Sequence, residues 1–213
     1  MVIEDLQDLQ DYEAAVVGLE DQARHLLDDR TEAELPAIRA WRSAFAAMGV
    51  RPTQYRCAAE ALLRRLRKDG ALPRMTPLVD LCNALSAAHA VPVAAFDLDR
   101  IMGDLTVGPA AGSETYLSFG GQTEQPAAGE IVFVDAAGTV HARRWTHRQS
   151  ATSAVSPATR RALIVIEGLH ETAETDVAAA LDALARIMSH HGTSVRRRLL
   201  RGGAGAFDMG AAA

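Results

Sequence analysis

The chain has 213 residues, and 48% of them are hydrophobic, enough to bury the core of one domain. Its formal net charge of -5 excludes a protein that coats nucleic acid non-specifically, though not a local basic cleft. The acidic start MVIEDLQDLQDYEAA lacks a signal-peptide pattern, and no apolar run approaches the roughly 20 residues that span a bilayer. A soluble, cytoplasmic protein with no membrane partner is expected. The two cysteines, Cys57 and Cys82, are expected to be reduced and buried.

In chain order, the apolar run Glu13–Leu19 reads as a short buried strand. Two helices follow, over Glu20–Asp29 and Glu32–Met48, the second carrying Ile38, Trp41 and Phe45 on one face and stopping at Gly49. Ala59, Leu62, Leu63 and Leu66 recur with helical spacing in an element ended by Gly70. Arg56, Glu60 and Arg64 lie on a neighbouring stripe. Thr76-Pro77 opens another helix, Thr as cap and Pro at the first helical position. Its apolar face is Leu78, Leu81, Cys82 and Leu85, and Asp80 and Asn83 form a polar stripe.

After Asp97 the pattern turns to strands: 104–107, 115–119, 130–134 and 139–145, with a hairpin turn at Ala136-Ala137-Gly138. Residues 161–167 form a further buried strand. A last helix carries Val177, Ala180, Leu181, Leu184, Ile187 and Met188 and ends at Gly192. A Gly- and Ala-rich tail from Gly202 is expected to be disordered. The order predicts one α+β (mixed α/β) domain over residues 1–201, with helices packed on a mostly antiparallel sheet.

No GxSxG, P-loop, HExxH or CxxC motif is present, so no cofactor or metal is expected. Polar groups on apolar elements are the candidates. Asp80 and Asn83 could brace the fold or, for the amide especially, orient a ligand. Glu167 closes a buried strand. Arg143, Arg144, His147 and Arg148 surround Trp145, a composition that can hold phosphates and stack a base, although strand alternation would put half of them on a solvated face. Arg148 could touch RNA or pair internally with Asp80 or Glu60. RRLRK at 64–68 reads as a solvated helix face.

The stretch VDLCNALSAAHAVPVAAFDLDRIMGDLTV, then Gly120-Gly121 and GEIVFVD, resembles the B3/B4 editing module of the bacterial phenylalanyl-tRNA synthetase beta chain. Free-standing members of that family are similar through GVRPTQYR, EALLRR, PLVDL and RRWTHRQS, so the resemblance runs from about Ala40 to Gly168. It implies a fold of that type and hydrolysis of mischarged tRNA, in trans, with the aminoacyl-tRNA acceptor end as partner. It also implies substrate contacts at Asn83, Ser86, Gly120, Gly121 and Glu167, and tRNA contacts at Arg143, Arg144, Trp145 and Arg148. In the resembling family a water is placed with help from the substrate's ribose hydroxyl, which fits the lack of a triad.

The family's Thr-Asn pair falls on Cys82-Asn83, its histidine on Ala94, and its small-residue strand on Arg143–Trp145. These departures imply a side chain other than tyrosine. The chain is too short to hold a synthetase catalytic core, so it is not expected to charge tRNA. A non-catalytic RNA-binding module and a binder of amino-acid derivatives are the alternatives on the same fold.

Overall fold

A computed structural model describes residues 1–6, 9–202 and 205–210. Three layers stack. The middle layer is an antiparallel sheet of β10 (Ser194–Arg196), β1 (Val2–Glu4), β9 (Ala162–Ile166) and β2 (Val93–Asp97), in that order. Alternation along these strands sends successive side chains to opposite faces. Ile3, Val93, Ala95, Ala162 and Ile164 join the helical core, while Val2, Phe96 and Leu163 pack with Phe133 and Ala142 of the other sheet.

That other sheet runs β3 (Thr106–Pro109), β6 (Ile131–Val134), β7 (Thr139–Arg143), β4 (Thr115–Leu117) and β5 (Thr123–Glu124), with β8 (Arg148–Gln149) also pairing β7. Among the described residues only the β4–β7 pair in it is parallel. The α+β architecture read from the sequence is the one observed. Among the described residues no helix is long and apolar enough to cross a membrane.

The helical layer holds α1 (Tyr12–His25), α2 (Pro36–Ala47), α3 (Ala58–Asp69), α4 (Pro77–His89) and α5 (Ala173–His190). The expected strand at Glu13–Leu19 is instead the first half of α1, which buries Val16, Leu19, Glu20 and Ala23. The expected helix over Glu20–Asp29 is the second half of the same element. Residues 32–34 form a 3-10 turn, and α2 starts only at Pro36. Gly70 closes α3 in the left-handed conformation, as its position requires. Thr76 precedes α4 but its hydroxyl makes no capping bond. Asp80, in the first turn of α4, instead ties down the approach to the helix by accepting from the Met75 amide at 2.7 Å, and it accepts from the Tyr12 hydroxyl as well.

The expected disordered tail lies partly outside the described residues. Of those described, Phe207 and Met209 pack against the inter-sheet cluster, and Arg196 donates to the Asp208 carbonyl.

Candidate functional site

The turn from β7 to β8 is where sequence and structure concentrate unusual features. Arg144 and Trp145 sit at φ 46° and 58°, two successive non-glycine residues in the left-handed region. Each such residue costs roughly 1–2 kcal/mol, so the surrounding contacts must hold the turn in place.

They do so from every layer. The Trp145 amide donates to Ile131 O at 2.7 Å, and the Arg144 amide to Glu130 at 3.3 Å. The Trp145 ring meets Trp41 of α2 edge-on, with centroids 5.0 Å apart. Arg144 lies over the Tyr55 ring at 4.3 Å. Thr146 O accepts from the Ala58 amide at the start of α3, and the His147 ring bonds Arg56 O at 2.7 Å. Trp145 touches both the helical core and the inter-sheet cluster, so it marks the junction of all three layers.

At that junction Trp145 Nε1 donates to Glu167 Oε1 at 2.7 Å. Glu167 follows β9, and its amide continues the ladder to Pro92 O. The residue is half-buried. Burial pushes its pKa up to about 7, with the Trp145 bond opposing. The second carboxyl oxygen has no partner among the described residues. A carboxyl poised near neutrality can donate or accept a proton at physiological pH.

The other expected site residues are distributed differently. Asn83 is half-buried in the middle of α4, and its side chain bonds no described residue. Ser86 is fully buried and donates its hydroxyl to Val91 O at 2.7 Å, bracing the end of α4. Gly120 and Gly121 form the exposed β4–β5 turn, with Gly121 at φ 77°.

Arg143, expected as a phosphate contact, turns inward. It is 5% exposed, its guanidinium grips Glu130 through two nitrogens at 2.8 and 3.0 Å, and a third donates to Glu124 at 2.6 Å. Burial raises the Glu130 pKa, but Arg143, helped by Arg144, outweighs it, and the carboxyl lies below its usual range. Arg143 is therefore a strut. The strut role considered for Arg148 is not observed: Arg148 is exposed, with Glu124 at 3.9 Å as its nearest charge, while Glu60 and Asp80 are engaged elsewhere.

A hydrogen-bonded Ser–His–Asp chain also exists. His141 bonds Ser153 Oγ at 2.8 Å through Nδ1 and Asp135 at 3.2 Å through Nε2. Burial lowers the His141 pKa, so the neutral ring can donate to Asp135 and accept from the Ser153 hydroxyl. Ser153 and His141 have no exposed surface, and Asp135 also caps the Met102, Ala137 and Thr139 amides. The chain ties layers together and has no access for a substrate in this structure. Its members are separated by six and twelve residues, and no motif announces them.

Two open clefts lie elsewhere. The larger, about 470 Å³, runs between the start of α1 and the end of α5, beside Asp11, Arg186 and His190. Neither contains Trp145 or Glu167.

The B3/4 domain family model matches residues 40–196. The chain belongs to the B3/4 domain family. The match runs from within α2 through β10, and so takes in the Trp145 turn, Glu167 and Asn83. No curated protein matches the chain. Among solved structures, an N-terminal fragment of the phenylalanyl-tRNA synthetase beta-subunit from Pyrococcus horikoshii is similar, at 15% identity and a TM-score of 0.45. The alignment covers 55% of this chain and 40% of that one, so this B3/4 domain spans less than half of the fragment it resembles.

Proposed function

We propose that this B3/4 domain is an aminoacyl-tRNA editing hydrolase that acts in trans. The observation that carries the reading is the Trp145–Glu167 pair, a near-neutral carboxyl held by an indole under a strained turn within the region that the family model matches. The sequence resemblance to the synthetase editing module supplies the substrate class.

In this reading the amino-acid moiety lies against Glu167, whose unpaired oxygen meets a polar group of the ester or its side chain. Asn83 supplies a further amide contact. The protein contributes position and fixed dipoles, and the ribose hydroxyl beside the ester assists the attacking water. No buried nucleophile is used. Cys57 and Cys82 are inert thiols whose pKa burial pushes up to about 12, and Ser153 is sealed.

The test is deacylation of a panel of tRNAs, each charged with a non-cognate amino acid, by wild type and by Glu167→Gln. The reading expects release of at least one amino acid and a large loss in the variant. Absence of hydrolysis across the panel, or full activity without Glu167, would overturn it.

A further inference from the structure

Eight of the 22 lysines and arginines fall in residues 39–68, against one of the 27 acids, Glu60. Glu60 is 1% exposed, and the neighbouring Glu32, before this segment, is 2% exposed. The two buried carboxylates gather four arginines from three segments. Arg42 meets Glu60 at 2.8 Å and Arg56 at 3.4 Å, while Arg64 and Arg67 meet Glu32 at 3.1 and 2.9 Å. Each arginine commits one edge inward and keeps 30–51% of its side chain exposed. Such anchoring removes conformational freedom in advance and leaves the remaining N–H groups facing solvent. The counter-charges of these four arginines are underneath; the exposed acids beside the face are Asp69, paired with Arg65 at 3.5 Å, and Glu34 near Arg39, so the arginines still outnumber the exposed carboxylates.

Two exposed arginines extend this face. Arg39 lies one turn before Arg42 on α2. Arg51, in the loop before α3, bonds with its guanidinium only the Gln54 side chain. Neither makes an ion pair among the described residues. The face also runs directly into the candidate site: Glu167 is bonded to Trp145, the adjacent Arg144 covers Tyr55, and Arg56 follows Tyr55 and joins Glu60.

We propose that this arginine face of α2, α3 and their connecting loop binds the phosphate backbone of an RNA helix, delivering its end to the Trp145–Glu167 junction. The proposal rests on the editing reading for the identity of the RNA, a tRNA acceptor stem, and assigns its docking surface to residues outside the β7–β8 turn. It resolves how a chain of net charge -5 can hold a polyanion: repulsion is diluted over the molecule, and attraction is concentrated beside the site.

The test uses an uncharged acceptor-stem RNA hairpin ending in CCA, and measures its affinity for the full chain at several KCl concentrations. The double variant Arg39→Gln/Arg51→Gln should bind several-fold more weakly and lower the log K against log salt slope by about 1–2, since each lost phosphate contact removes about 0.9. Its melting temperature should stay close to wild type, because neither arginine makes an ion pair among the described residues and the Arg51–Gln54 bond is exposed. Arg39→Lys/Arg51→Lys should restore most of the slope. Arg160→Gln, outside this face, should change nothing. An unaltered slope in the glutamine variant, or an equal loss in Arg160→Gln, overturns the proposal. Ester hydrolysis is read separately. Binding through these arginines without deacylation would sink the editing reading alone, and deacylation with an unaltered slope would sink this one alone.

Discussion

Trp145 Nε1 lies 2.7 Å from Glu167 Oε1, so one hydrogen bond joins a left-handed turn of the larger sheet to the end of a strand in the smaller one. That bond favours the ionised carboxyl, against the effect of burial. Trp145→Phe keeps a ring against Trp41 but removes the donor. The Glu167 pKa should then rise above about 7, and a carboxyl-carbon NMR titration would show it. An unchanged or lower value would mean that the bond does not govern the carboxyl.

Glu167 should also leave a signature in stability. Its folded pKa, about 7, lies above its ordinary value of 4.5. The folded state therefore holds the proton more tightly, a contribution complete below about 4.5 and lost as pH rises through about 7. Glu167→Gln removes that dependence. The difference in melting temperature, variant minus wild type, should grow more positive between pH 5 and pH 8.5. A difference that stays flat across that range would contradict the shift.

Arg143 and Arg148 should separate cleanly. Arg143→Met strands Glu130 and Glu124 near a buried position and should cost about 3–5 kcal/mol of stability. Arg148→Ala should change the melting temperature little, because an exposed pair at such a distance contributes at most about 1 kcal/mol. Denaturant melts of the two variants measure both, and similar losses would refute the division of roles.

Asn83 offers the reverse case. Its side chain bonds no described residue, and alanine is the better helix former by up to about 0.7 kcal/mol. Asn83→Ala should be at least as stable as wild type while deacylating more slowly. A fall in melting temperature that parallels the fall in rate would make Asn83 a brace.

The Ser153–His141–Asp135 chain should behave as architecture. Ser153→Ala leaves the buried His141 Nδ1 without its partner and should cost about 1–3 kcal/mol while leaving deacylation intact, and a fluorophosphonate probe should not label Ser153 in the native protein. Labelling at wild-type stability would show that the serine is reachable after all.

Much of the fold was legible because some local signals agree with packing. The α3 helix, its Gly70 stop and the Asp135–Thr139 hairpin follow directly from spacing and turn chemistry. The misreading at Glu13–Leu19 arose because a seven-residue apolar run satisfies either period; only the longer window, Val16 to Ala23, shows the helical one. At the site, Glu167 and Trp145 were both visible as candidates, but their bond was not, since it spans 22 residues. Arg143 looked like its neighbours Arg144 and Arg148. What buries it is a pair of carboxylates 13 and 19 residues upstream, a choice made by strand register and not by local composition.

The order β10-β1-β9-β2 has a consequence for how this protein can be handled. Val2 pairs with both Leu163 and Arg196, so the central sheet closes only when segments from opposite ends of the sequence meet. Pairings of such long range form slowly. A fragment cut to residues 40–196, where the family model begins and ends, would lose β1 and leave β9 with a row of unsatisfied amides and carbonyls. Such an edge invites strands from other molecules. Excised that way, the domain should be prone to aggregate even with every site residue present.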